Sequence, residues 1–166
     1  MYFAWGETEG YSDATSGKEF SWSDYKYGDG STFEKYNSDG LTTLELTDDA
    51  ARVNMGGNWC IPTEIEYQEL LDNTTSAWTT VNNVNGVKFT STKEGYTDKY
   101  IFIPTAGYCN YGSVEGTSSS VYLWSSSLDS SNVAFAHNLV FSSSGAKVST
   151  SRRNHGYSVR PVKSKS

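Results

Sequence analysis

The chain contains two histidines, His137 and His155, and two cysteines, Cys60 and Cys109. Metal or nucleophile chemistry would start from these residues. Neither histidine belongs to an H-E-x-x-H or comparable ligand spacing, and the cysteines match no zinc motif. Two free thiols are the expected state of Cys60 and Cys109, with a single bridge as the alternative in an exported protein. No serine stands in a G-x-S-x-G elbow beside a marked base. The acid pairs Asp48 with Asp49 and Glu64 with Glu66 fall in expected first helical turns, where the helix dipole accounts for them. Gly56 and Gly57 follow a helix rather than open one, so they form no phosphate loop. Asn73-Thr74-Thr75 has the form of a glycosylation sequon, a pattern short enough to arise by chance. The sequence therefore predicts no catalytic residue, no metal ligand and no cofactor.

Non-covalent recognition is better represented. The stretch "RRNHGYSVRPV", residues 152–162, gathers Arg152, Arg153, Asn154, His155 and Tyr157 in one turn-like cluster. Guanidinium charge, imidazole, amide and phenol there could combine charge, stacking and hydrogen bonding. In the preceding "AHNLVF", Leu139 and Phe141 share one face by strand alternation, and Asn138 and Val140 share the other. With the first pair in the core, the second pair is expected to face solvent.

The chain that must position these groups has 166 residues and a net charge of -6, with an isoelectric point near 4.8. That length suits one domain spanning residues 1–166. An acidic chain without a basic run is a poor match for nucleic acid. No apolar run approaches the ~20 residues that cross a bilayer, and "MYFAWGETEG" lacks the basic start and apolar stretch of a signal peptide. No direct membrane insertion is expected. Aromatics make up 14% of residues and charged residues 19%. With abundant Ser, Thr, Gly and Asn, that is the composition of a recognition surface and equally of a loop-rich, β-containing extracellular domain.

Residues 1–40 show no sustained period and read as an irregular segment pinned by Trp5, Phe20, Trp22, Tyr25 and Tyr36. A first helix is expected through "DDAARVNM", capped by Thr47 and stopped at Gly56 and Gly57. A second follows Pro62, with Thr63 and Glu66 as a capping box and Ile65, Leu70 and Leu71 as its buried stripe. Then "WTTVNNVNGVKFTS" predicts a hairpin turning at Asn85-Gly86, and "KYIFIPTAGY" a buried strand ended by Pro104. Residues 113–120 read as a loop, and "VYLWSSS", "NVAFAHNLVF" and "YSVRPV" as strands. Two short helices and a β-rich C-terminal half give an α+β class.

Taken in order, "YFAWGE", "SWSDYKY", "KYN", "DGLTTLELTDDAARVNMGGNWCIPTEIEYQELL", "IFIPTAGY", "LWSSS" and "RNHGYSVRPV" resemble the Fibrobacter succinogenes major paralogous domain over nearly the whole chain. That family is common in surface proteins and lipoproteins of Bacteroidetes, many from the gut. The resemblance implies a C-type lectin-like fold related to the formylglycine-generating-enzyme group. Members usually carry a further strand before "YFAWGE", so this domain is expected to be missing its N-terminal strand, with residues 1 to 5 as the alternative partner of "YSVRPV".

The chain is also similar to variable proteins of diversity-generating retroelements, in which selected codons near the C-terminus are varied. On that likeness, Trp124, Ala136, Leu139, Phe141, Arg153, Gly156 and Arg160 are scaffold, the two arginines satisfying backbone carbonyls or acids. The ligand-binding positions implied are His137, Asn138, Val140, Ser142, Lys147, Ser149, Ser151, Arg152, Asn154, His155 and Tyr157. The E-P-N or Q-P-D and W-N-D motifs of calcium lectins do not occur, so metal-free recognition is expected. Cys60 and Cys109 match no reactive pair of the enzyme relatives, so no enzymatic activity is expected. The implied function is an extracellular or cell-surface ligand-binding module for an unknown protein or glycan. The alternative is a structural or assembly domain of a bacterial cell-surface protein, in which the same face packs on a neighbouring subunit.

Overall fold

A computed structural model describes residues 1–12 and 17–164. The described part of the N-terminal segment is largely irregular, with one 3-10 turn at Trp22–Asp24. Trp5, Phe20, Tyr25 and Tyr36 are buried there as expected. Edge-on ring contacts link Trp5 to Tyr36, Tyr36 to Tyr27 and Tyr27 to Tyr25. Such aromatic contacts replace the regular backbone ladder that this sequence cannot form.

The helices are α1, Ala50–Met55, and α2, Glu64–Asp72. Asp49, not Thr47, caps α1: its carboxylate accepts from Arg52 N–H at 3.0 Å and from Ile61 N–H at 2.9 Å. Asp48 therefore lies outside the helix, where Lys35 Nζ at 2.6 Å and the hydroxyl of Tyr36 at 2.8 Å donate to its buried carboxylate. The capping box of Thr63 and Glu66 opens α2 as its spacing predicts. Its inward residues are Tyr67, Leu70 and Leu71. Ile65 is 70% exposed, because two residues of helix turn it about 200° away from Tyr67.

The strands are β1 (Trp59–Cys60), β2 (Thr74–Val81), β3 (Val84–Ser91), β4 (Tyr100–Pro104), β5 (Tyr108–Asn110), β6 (Ser113–Glu115), β7 (Ser120–Leu128), β8 (Phe135–Ser142), β9 (Gly145–Arg152) and β10 (Val162–Lys163). They form antiparallel sheets ordered β2-β3-β4 and β7-β8-β9, with pairs β1-β10 and β5-β6. The architecture is α+β, two short helices on a sheet-dominated body.

Five elements differ from expectation, the first being "YSVRPV", which is no continuous strand: Tyr157 and Ser158 make single bridges to Phe3 and Leu123, and only Val162 belongs to a strand, β10. The first hairpin turns at Asn82 and Asn83, both at positive φ. Two such residues make the tight turn that matches strand twist. Asn85 and Gly86 belong to β3, and Gly86 serves close approach, since a Cβ there would lie 2.4 Å from Ile103 O. β4 does end at Pro104, but it is an edge strand with Tyr100 and Ile101 exposed and Ile103 buried. Residues 113–120 contain β6 and the start of β7 rather than a continuous loop. The strand β9, whose alternating Ser and Lys carry little apolar signal, pairs with β8 along its whole length.

Cys60 and Cys109 are not joined in a disulfide; Cys109 is fully buried and Cys60 half-buried. Leu139 and Phe141 enter one core with Tyr67, Val87, Phe89, Val121 and Leu123. Trp124, Ala136 and Tyr157 enter another with Trp5, Tyr36 and Leu44. The β7-β8-β9 sheet thus has a core on each side, and the second covers only part of its face. Among the described residues no helix is long and apolar enough to cross a membrane.

Candidate functional site

Register places the candidate residues. Trp124 pairs with Asn138, Tyr122 with Val140 and Ser120 with Ser142. Asn138 in turn pairs with Ser149, Val140 with Lys147 and Ala136 with Ser151. Directly opposed residues share a face. One face of β7-β8-β9 therefore carries Tyr122, Val140, Ser142, Lys147, Ser149 and Ser151 above a floor of Trp124, Ala136 and Asn138.

The C-terminal segment crosses that face and seals part of it. Phe3 and Tyr157 exchange both backbone hydrogen bonds, at 2.9 and 3.0 Å, while Trp124 Nε1 donates to Phe3 O at 2.8 Å. This brings the Tyr157 ring onto Trp124, with Tyr122 at 4.9 Å and Tyr108 at 6.1 Å between centroids. Tyr157 donates to Ser151 Oγ at 2.8 Å, and Asn138 Nδ2 donates to the same oxygen at 2.8 Å. His155 Nδ1 lies 3.3 Å from the Tyr157 hydroxyl. Burial, then the neighbouring Arg152 charge, pushes the His155 imidazole down to about 4. It is neutral near pH 7 and able to exchange hydrogen bonds without charge. The Tyr108 hydroxyl donates to Glu115 at 2.8 Å, and that bond, with burial, pushes the phenol up to about 12.

Sequence alternation is correct for Asn138 and wrong about its exposure. Asn138 shares the Val140 face but is fully buried, because Tyr157 and its segment lie over that end of the sheet. Its Oδ1 accepts from no group among the described residues. Asn154 and Tyr157 are likewise buried rather than ligand-facing. Asn154 Nδ2 donates to Phe20 O at 2.8 Å and pins the N-terminal segment. His137 is on the reverse face with Leu139, where its Nε2 lies 3.1 Å from Glu64 Oε2. Arg152 pairs with Phe135, in register with that reverse face, and is exposed at the strand end. Lys147 is exposed, and Val140, Ser142, Ser149, Ser151 and His155 are half-buried.

The scaffold positions divide too. Arg153 is fully buried, and its guanidinium donates to Tyr36 O at 3.1 Å, Val133 O at 2.8 Å, Lys35 O at 3.0 Å and the Tyr25 hydroxyl at 2.9 Å. Gly156 is needed because a Cβ would come within 2.7 Å of the Phe20 ring. Arg160 is exposed and no described residue accepts from it. Val159 packs inward on the core, while Arg160 beside it lies outside any strand and faces solvent. The serines after Trp124 bond locally. Ser125 Oγ donates to His137 O at 2.8 Å, and Ser127 Oγ accepts from Glu64 N–H at 3.0 Å. They support the bulge in β7.

Tyr108, Tyr122 and Glu115 were not expected in the site. Tyr122 was readable, being two residues before Trp124 on one strand. Tyr108 and Glu115 come together through the β5-β6 pair, which has no strong local signature. Comparison with protein-family models, with curated proteins and with solved structures finds no match.

Proposed function

We propose that this chain is a non-enzymatic ligand-binding module whose contact surface is the open end of the β7-β8-β9 face. One observation supports the reading most directly. Six accessible or half-buried side chains of different chemistry, Tyr122, Val140, Lys147, Ser149, Tyr108 and His155, surround a buried floor that ends in the unpaired Oδ1 of Asn138. Buried polar atoms are normally satisfied, and this one lies beneath the Tyr157 segment, so a donor from a ligand reaches it only when that segment lifts. The floor is fixed by stacking and by the Ser151 hydrogen bonds, so the rim can vary while the frame stays constant. Such preorganisation lowers the cost of binding.

This division of frame and rim is consistent with the C-type lectin-like fold that the sequence resemblance implies, and with a retroelement-diversified surface at Val140, Ser142, Lys147, Ser149 and His155. The expected setting is extracellular or cell-surface, and the ligand a glycan or a protein, bound without metal.

The experiment is a glycan-array screen of the purified chain, with and without calcium. It is run beside a variant with Val140, Lys147, Ser149 and His155 changed to Ala, which spares the buried floor. Parent binding that the folded variant loses supports the surface. Binding retained by the variant rejects the surface, and no parent binding removes the glycan ligand. A near-copy of the 3′ end of the gene with adenines at the rim codons, beside a reverse transcriptase, tests diversification.

A further inference from the structure

A second surface opens on the other side of the sheet. Between α2, β4 and the C-terminal segment lies a cleft of about 450 Å³, lined by Pro62, Tyr67, Leu70, Ile101, Ile103 and Val162. Its banks carry opposite charge: Glu66 and Glu69 project from α2, and Arg160 stands on the C-terminal side. Arg160 is exposed, with no described group paired to it. A guanidinium left free beside an apolar floor is a ready partner for a carboxylate.

The third wall is a strand edge. β4 pairs with β3 on one side and is terminal in its sheet. The flanking bonds Ser91 N–H to Lys99 O, at 2.9 Å, and Thr105 N–H to Asn85 O, at 2.8 Å, fix the ladder phase. With Val87 opposite Ile103 and Phe89 opposite Ile101, Ile101 and Ile103 turn their N–H and C=O groups towards β3. Tyr100 and Phe102 turn theirs outward. The edge has no lysine or bulge within it, and of the devices that usually blunt an open edge only Pro104, at its last residue, is present, leaving Tyr100 and Phe102 to pair. Ile101 and Ile103, two residues apart, present their side chains to the cleft.

We infer that this cleft takes an extended peptide strand, which adds to β4 through Tyr100 and Phe102. Its alternate apolar side chains enter the cleft beside Ile101 and Ile103, and one of its carboxylates reaches Arg160. Strand addition uses just these parts: main-chain bonds for affinity and alternating pockets for specificity. The cleft is independent of the rim on the opposite face, so neither proposal depends on the other.

The test is an array of capped heptapeptides that systematically varies apolar alternation and terminal charge, probed with the whole chain and with Arg160→Glu. Peptides with alternating apolar residues and one acidic residue are expected to bind. In Arg160→Glu they should weaken at least tenfold, while basic counterparts gain. The best peptide should slow amide exchange of Tyr100 and Phe102 at least tenfold and leave Ile101 and Ile103, already bonded to β3, little changed. Absence of any binding peptide overturns the inference, as does binding without that alternating protection or without a change of charge preference. Concentration-dependent dimerisation with the same protection, in the absence of peptide, also overturns it by making a second copy the occupant.

Discussion

Tyr157 stacks on Trp124 with ring centroids 4.4 Å apart and 29° between the planes. The stack joins three parts of the chain, because Tyr157 is bonded through its backbone to Phe3, and Phe3 O also takes the Trp124 indole N–H. Tyr157→Ala should remove the ring and open a cavity, at a cost of about 3–5 kcal/mol. Tyr157→Phe keeps the stack and loses only the hydroxyl bond to Ser151, at about 1 kcal/mol. Urea denaturation of both variants measures the difference. Equal losses would mean that the hydroxyl, not the stack, holds the segment down.

Arg153 is a buried cation with no carboxylate beside it among the described residues. Its charge is held by three carbonyls and one phenol, and by the rings of Phe33 at 4.6 Å and Trp5 at 5.1 Å. Arg153→Lys keeps the charge but cannot reproduce a planar fork with donors in several directions. Orphaned carbonyls and a poorly solvated ammonium should cost roughly 3–5 kcal/mol. A thermal melt should show Arg153→Lys nearly as damaged as Arg153→Ala. A loss under 1 kcal/mol for the lysine variant would reject this account.

His155 sets a pH dependence. Its folded value of about 4 lies below the ordinary 6.5, so the unfolded chain takes up the proton first. Its contribution is complete above about pH 6.5 and is lost as pH falls towards 4. The loss is on the order of 3 kcal/mol before solvent screening of this half-buried ring reduces it. Denaturation midpoints between pH 7 and 4 should therefore fall less steeply in His155→Gln than in the parent. Parallel slopes would remove His155 as the titrating group.

The sequence makes α2, β7, β8 and the buried N-terminal aromatics legible through local signals: a capping box, an apolar alternation and clustered rings. It places Asn138 and Val140 on one face, and that holds. It cannot show that Tyr157 lies over Asn138, since that contact depends on a backbone bridge to Phe3 far away in sequence. Exposure fails for the same reason at Asn154, whose partner is the Phe20 carbonyl. The turn at Asn82-Asn83 and the strand β9 are missed because Asn85-Gly86 gives the stronger turn signal and β9 has few apolar residues. Arg153 and Arg160 look alike in sequence, yet one is enclosed by aromatic rings and the other faces an open cleft.

Asn138 separates frame from contact. Its Nδ2 is bonded to Ser151, but its Oδ1 is buried without a partner among the described residues. Leaving such an acceptor unsatisfied costs about 1–3 kcal/mol. Asn138→Leu has similar volume and removes that penalty, while the lost bond to Ser151 costs about 1 kcal/mol. The net change in stability should therefore lie between zero and a gain of about 2 kcal/mol. If Oδ1 is kept to accept a donor from the ligand, the same substitution should weaken binding at least tenfold, the pattern of a residue retained for function at some cost to stability. Chemical denaturation and titration with a ligand found on the array measure the two effects separately. A variant that is destabilised by more than 2 kcal/mol, or that binds as tightly as the parent, would make Asn138 a framework residue and return the site to its rim alone.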